Sequence, residues 1–206
     1  MKKITIGIVD YGFGNISSLY GCLMSLGFSV NVSSKKSVLK KSDILFLPGV
    51  GAFDSGMRAM NEKDLVDFIH KFHTSGKTIV GICLGMQLLF SSSDEGSSIK
   101  GLCLLPGRIT KIRTEPTHIG WNRIKILKPR SIFKNFDRKH FYFNHSYSFN
   151  GSRKIVSGTA VISAKNEIVS AIVQKRNITG LQFHPEKSQS NGANLLNRII
   201  LDAYNA

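Results

Sequence analysis

The chain has 206 residues, 42% apolar and 20% charged, which suits a soluble α/β domain with a substantial core and excludes a repeat or low-complexity protein. Its longest apolar run, Ile79 to Phe90, is broken by Gly81, Gly85 and Gln87 and is shorter than the ~20 residues a membrane helix needs. The Lys2-Lys3 start with its short apolar segment lacks the pattern of a signal peptide, so a cytoplasmic protein with no membrane contact is expected.

The formal charge of +15 raises nucleic-acid binding as a possibility. Between Arg108 and Lys139 there are ten Lys/Arg and two acids, but the cations are scattered singly and no RRM, KH or helix-turn-helix pattern accompanies them. With 19 lysines among the 28 cations, a solvated lysine-rich surface is the preferred reading, and no nucleic-acid partner is expected. Attraction to an acidic partner or an anionic metabolite is a third reading.

Ile4 to Val9 is apolar on both faces and ends in Asp10-Tyr11-Gly12-Phe13-Gly14, as a buried parallel strand does. Asn15 to Leu26 carries Ile16, Leu19, Leu23 and Leu26 at helical spacing, with Gly27 as a cap. Phe28–Val32 and Asp43–Leu47 read as strands, the second stopped by Pro48-Gly49-Val50-Gly51. Leu65, Ile69 and Phe72 mark a helix closed by Gly76; a strand at Thr78–Ile82 and a helix at Leu84–Phe90 follow. This alternation predicts a parallel sheet flanked by helices. Ser91 to Ser98 reads as a polar loop. Beyond it, 108–113, 122–127, 140–143, 155–163, 168–173 and 179–182 read as strands, several of them antiparallel, so the sheet is expected to be mixed at one edge. Asn191 to Tyr204 closes as a helix.

Cys22, Cys83 and Cys103 are odd in number and widely spaced, so neither disulfides nor zinc are expected. His70 and His73 lack further ligands and read as surface residues; no metal is expected. Gly12-x-Gly14-x-x-Ser17 lacks the third glycine of a dinucleotide fingerprint, and Gly76-Lys77-Thr78 leads into a strand where a P-loop opens a helix. No cofactor is expected.

One segment carries chemistry. Gly81-Ile-Cys83-Leu-Gly85 lies between a strand and a helix, the cysteine form of a nucleophile elbow. The turn holds Cys83 out at the C-terminal edge of the sheet, where open α/β sheets place their sites. The helix N-terminus there favours a reactive thiolate over an inert core thiol. A thiol nucleophile needs a base and an orienter. His184-Pro185-Glu186 supplies both, since residues two apart in extended chain point to one side. Oxyanion donors are available at the Leu84 amide and in the 48–51 turn.

Gly81-Ile-Cys-Leu-Gly-Met-Gln87 with Phe183-His-Pro-Glu-Lys-Ser188 resembles the class I, or triad, glutamine amidotransferases. Val9–Asn15, Leu47–Phe53, His118-Ile-Gly-Trp-Asn122 and Phe141-Tyr-Phe-Asn-His-Ser-Tyr147 are similar to the HisH glutaminase subunits of imidazole glycerol phosphate synthases. The resemblance implies a flavodoxin-like fold with a central, mostly parallel sheet and an antiparallel extension, built as one domain over residues 1–206. It implies that Cys83 attacks the side-chain amide of L-glutamine with His184 as base and then acid, Glu186 orienting His184, and that a γ-glutamyl thioester is hydrolysed. It implies an oxyanion hole at Val50 and Leu84, glutamine contacts from Gly51, Gln87, Ser146 and Tyr147, and a HisF-type (β/α)8 cyclase as heterodimer partner that receives the ammonia. Asn15, Trp121, Tyr142 and Lys187 match positions facing that partner. Ile16-Ser-Ser18, Cys103 and Glu115-Pro-Thr117 depart from the usual pattern. They leave open a paralog feeding amidino-sugar synthesis in surface glycans. A stand-alone γ-glutamyl cysteine hydrolase and a non-catalytic basic binding module are the further alternatives.

Overall fold

The structure is a computed structural model that describes residues 4–96, 99–162 and 166–205. Its first half alternates as β1 (Thr5–Val9), α1 (Ile16–Ser25), β2 (Ser29–Ser33), α2 (Lys36–Leu39), β3 (Ile44–Leu47), α3 (Phe53–Glu62), α4 (Val66–Thr74), β4 (Thr78–Ile82) and α5 (Leu84–Leu88). The second half is mostly strand: β5 (Ser92–Ser93), β6 (Arg108–Lys111), β7 (His118–Ile126), β8 (His140–His145), β9 (Tyr147–Asn150), β10 (Val156–Ile162), β11 (Glu167–Lys175) and β12 (Ile178–Leu181), closed by α6 (Gln189–Asn205).

Nine strands form one sheet in the order β2-β1-β3-β4-β12-β11-β10-β7-β8. The run from β2 to β12 is parallel, and the run from β12 to β8 is antiparallel. The crossover that matters returns β12 beside β4, pairing Gly180 with Gly81 and Leu181 with Ile82. Two segments nearly a hundred positions apart therefore leave the sheet side by side, one leading into Cys83 and the other into His184. A small second sheet, β5-β6-β9, is hydrogen-bonded separately from the large one, with β9 against β11.

The inner parallel strands β1, β3, β4 and β12 are buried on both faces, which is why they read as apolar runs, while the edge strand β2 is not. In β3, Ile44 and Phe46 join one core cluster with Ile6, Ile8, Phe183 and Leu196. Leu45 and Leu47 face the other cluster with Val9, Phe53, Leu88 and Phe90. Each such side chain contributes roughly 1.5–3 kcal/mol of transfer free energy.

Several elements, the short helix α2 among them, escape a reading by periodicity. Helix α3 follows the glycine turn directly and contains Asp54, Ser55, Gly56 and Asn61, all poor helix formers. Its stability comes from burying Phe53, Met57 and Met60 and from seating Gly56 against Leu84 and Leu88. Strand β5 sits in the segment expected to be polar loop, and β9 follows β8 after one residue. Strand β7 begins at His118 rather than Asn122, because cross-strand pairing to β8 extends through His118↔His145. Ser97, Ser98 and Ser163, ends of expected segments, and the Lys2-Lys3 start lie outside the described residues. His70 and His73, expected at the surface, are half-buried, and the Nδ1 of His73 is enclosed. Among the described residues no helix is long and apolar enough to cross a membrane, and no group of three or more His, Cys, Asp or Glu is placed to hold a metal.

Candidate active site

Cys83 sits between β4 and α5 with φ 52° and ψ −112°, a left-handed conformation that a non-glycine residue adopts only under tertiary constraint. The constraint is close backbone packing. A Cβ at Gly85 would overlap the Leu47 carbonyl, and one at Gly81 would lie 2.7 Å from the Gly85 carbonyl oxygen. The two glycines thus let α5 lie directly on β3 and β4, as the elbow pattern predicts. The Cys83 amide stays in the sheet, donating to Leu181 at 2.8 Å, while the thiol donates to the Asn144 carbonyl at 3.6 Å. Leu84, as the first residue of α5, has an N–H without an intrahelical acceptor.

His184 leaves the end of β12 and is 3% exposed. Its Nδ1 lies 2.8 Å from Glu186 Oε1, itself buried. The expected pairing is present, but its geometry is different from the expected one. His184 is extended, while Pro185–Lys187 forms a single 3-10 turn, so the carboxylate folds back beneath the ring instead of alternating along a strand. The His184 backbone is clamped at both ends. Its N–H donates to the Tyr142 carbonyl at 2.8 Å, and its carbonyl accepts from the Ser188 hydroxyl at 2.6 Å. Burial disfavours the charged ring, but hydrogen bonds and opposite charge from Cys83 and Glu186 outweigh it, raising His184 to about 10. Both partners thus favour a protonated ring beside the sulfur.

The turn after β3 forms the facing wall. A Cβ at Gly49 would lie 2.6 Å from both the Gly85 nitrogen and the Tyr11 hydroxyl, so this turn rests on the elbow itself. The buried Tyr11 hydroxyl donates to the Pro48 carbonyl at 2.6 Å. Burial first, and the Cys83 charge second, push its phenol above the usual range and keep it a donor.

These parts enclose a cavity of about 340 Å³ lined by Cys83, His184, Val50, Gly51, Gln87, Ser146 and Tyr147, among others. The structure therefore gathers every expected triad, oxyanion and glutamine-contact residue at one cavity except Glu186, which stands behind His184. Leu84 lines it too. The Gln87 side chain is already committed, its Nε2 donating to the Tyr147 carbonyl at 2.9 Å and to Gln182 Oε1 at 3.3 Å. It fixes the wall from inside. Of the residues expected at a partner surface, Trp121 and Tyr142 pair across β7 and β8 with ring centroids 6.0 Å apart, and Lys187 Nζ lies 5.9 Å from the Tyr142 ring. Asn15 precedes α1, which packs against the turn holding Lys187.

Sequence reasoning missed Glu95, Thr117, Asn144 and His145, which also line the cavity. Asn144 and His145 belong to the same aromatic segment as Ser146 and could have been read with it. Glu95 Oε2 accepts from the Phe53 amide at 2.8 Å across the start of α3, a contact with no local signal.

A family model for class I glutamine amidotransferases matches residues 7–203. The chain is similar to imidazole glycerol phosphate synthase subunit HisH of Halalkalibacterium halodurans, 41% identical with 93% of this chain and 92% of the relative covered. The same subunit of Thermotoga maritima is 40% identical, with 95% and 96% covered. In fold the chain is similar to a solved glutamine amidotransferase at TM-score 0.75 and 17% identity, covering 98% of this chain and 99% of that one. It is likewise similar to the structure of PurLQS from Thermotoga maritima at TM-score 0.77 and 21% identity, covering 98% and 99%.

Proposed function

The chain belongs to the class I glutamine amidotransferases and, within them, to the HisH subunits of imidazole glycerol phosphate synthase, and on that premise we propose that it hydrolyses L-glutamine at Cys83 and delivers the ammonia to a HisF-type cyclase in histidine biosynthesis. The observation that carries the chemistry is the convergence of Cys83, His184 and the 48–51 turn on one cavity, with Glu186 behind His184.

In the proposed reaction the sulfur attacks the side-chain amide carbon. The oxyanion forms against the Leu84 amide and the Val50 amide of the glycine turn. His184 takes the thiol proton as the sulfur attacks, so the imidazolium is then placed to protonate the departing nitrogen, and ammonia leaves with the γ-glutamyl group joined to sulfur. The ring, now neutral, takes a proton from water as it attacks the thioester; glutamate leaves and the resting pair returns. Glu186 holds the Nδ1–H throughout, so Nε2 faces the sulfur. Gly51, Ser146 and Tyr147 hold the amino-acid end of glutamine.

The cyclase as partner is supported by relatives that are themselves subunits of imidazole glycerol phosphate synthase and by the Trp121–Tyr142–Lys187 cluster. Tyr142 both presents its ring on that surface and accepts from the His184 amide, so a barrel seated there touches the strand that clamps the base. The relatives favour the histidine pathway over amidino-sugar synthesis. A glutaminase assay with and without the cognate cyclase and its acceptor ligand tests the whole: slow glutamate release alone and strong stimulation in the complex are expected. Full activity of the isolated chain would instead support a stand-alone hydrolase.

A further inference from the structure

At the cavity wall and behind it, three polar side chains form a chain for which the reaction above has no use. Asn122 Nδ2 donates to the Val161 carbonyl at 2.9 Å. A carbonyl only accepts, so this contact fixes the amide and turns Oδ1 toward His118 Nε2, 2.7 Å away. That nitrogen must therefore carry a proton. At the other end His145 Nδ1 lies 2.9 Å from the Tyr147 carbonyl, so it too must carry one. The two nitrogens left over, His118 Nδ1 and His145 Nε2, face each other at 3.2 Å. With both rings neutral they would present lone pair to lone pair. One additional proton makes the contact an N–H···N hydrogen bond. Both rings are buried, at 5% and 6% exposure, where an unpaired contact of this kind is costly.

We propose that His118 and His145 share one proton and act as positioning residues for the Ser146–Tyr147 wall that receives glutamine. The proposal rests on the glutaminase reading for its ligand. The Tyr147 carbonyl that closes the chain also accepts from Gln87, so β8, the start of β9 and α5 meet at one atom, with β7 joined to it through His118 and His145. The Ser146 hydroxyl is held from the other side, 2.8 Å from Thr117 Oγ1. Burial pushes His145 down to about 3, the Tyr147 hydrogen bond opposes this, and charges on His118 and His184 add to the lowering. Around the pair stand the Phe143 ring from β8, 5.3 Å and 5.8 Å from the two imidazoles, His184 after β12, and Cys83 and Glu95 across the cavity.

A positive charge directly behind Ser146 and Tyr147 favours an anionic carboxylate in front of them. Substrate and proton then stabilise each other, and by linkage the effect is reciprocal. Glutamine should raise the proton affinity of the pair, and loss of the proton should weaken glutamine binding without touching the Cys83–His184 step. KM should rise with pH by up to about tenfold per unit once the proton leaves, while wild-type kcat stays flat over the same range.

The test has two arms. In the first, the full-length chain carrying Cys83→Ala and 15N-labelled histidine is followed by long-range 1H–15N NMR from about pH 5.5 to 8.5, with and without L-glutamine. The proposal expects one ring with both nitrogens protonated, its neighbour protonated at Nδ1 alone, and a midpoint that moves up by at least about half a unit when glutamine binds. Two singly protonated rings across the whole range, or a midpoint indifferent to bound glutamine, would overturn it. In the second arm, KM is measured against pH for the complex of wild type and of His118→Gln. The glutamine amide at 118 donates to His145 Nε2 without an extra proton, so the KM slope should vanish; a wild-type slope in that variant would also overturn the proposal. Absence of any glutaminase activity would refute the functional reading and leave the shared proton to be decided by the spectra.

Discussion

In the parallel half of the large sheet, β2-β1-β3-β4-β12, the groups that build the site leave from strand ends: Tyr11, which holds the turn, after β1, the 48–51 turn after β3, Cys83 after β4 and His184 after β12. In the antiparallel half, β11-β10-β7-β8, the corresponding residues lie within or between strands, where Thr117, Asn144, His145 and Ser146 form a wall and Trp121 and Tyr142 present an outer surface. The first half is positioned by backbone. Glycines permit contact that any side chain would block, and the strain at Cys83 follows from that contact. The second half is positioned by side-chain hydrogen bonds such as His118–Asn122 and Thr117–Ser146. One kind of site is rigid because nothing else fits, the other because its polar groups are paired.

Four substitutions break or sharpen that contrast. The largest effect is expected from Cys83→Ala, which removes the nucleophile and should cost about a hundred-thousandfold in glutamate release by the complex while the chain stays folded. Gly85→Ala acts on the backbone itself. The added methyl meets the Leu47 carbonyl in a fully packed site, and at least about 3 kcal/mol of stability should be lost, a fall in Tm of about 6–12 °C by thermal denaturation. An unchanged Tm would show that the elbow is not held by close contact.

Glu186→Gln should be milder, about tenfold in kcat, because the amide oxygen still accepts from Nδ1 and keeps the tautomer. Its pH dependence is the sharper readout. His184 is raised in the folded protein from 6.5 to about 10, so the stability from its imidazolium is fully present below 6.5 and is lost as pH rises through about 10. Removing the carboxylate removes one of the two raising partners, so the alkaline limbs of both activity and stability should move to lower pH. The smallest effect tests the antiparallel half: Trp121→Ala should shift Tm by less than about 2 °C yet weaken binding to the barrel about tenfold, measured by titration calorimetry.

The same contrast explains what could be read in advance. Gly81 to Gln87 and His184 to Glu186 are legible because each carries its geometry within a few residues. The strand alternation of the first half is legible because β1, β3 and β4 are buried on both faces. The pairing of β12 with β4 is a contact between remote segments and leaves no local trace; only the chemical need of Cys83 for a base points to it. Helix α3 was hidden by Asp54, Ser55 and Gly56, whose propensity is overridden by packing of Phe53 and Met57. The 3-10 turn at Pro185 was hidden because His-Pro also fits an extended chain. Glu95 and the His118–His145 contact depend on approaches across strands or loops that spacing does not encode.

Rapid-quench intact-mass analysis of the chain in complex with its cyclase, acceptor ligand and L-glutamine tests the central claim most directly. A γ-glutamyl adduct should appear on Cys83, form before glutamate is released and be absent from Cys83→Ala. An adduct on Cys22 or Cys103, or glutamate release that persists in Cys83→Ala, would contradict it.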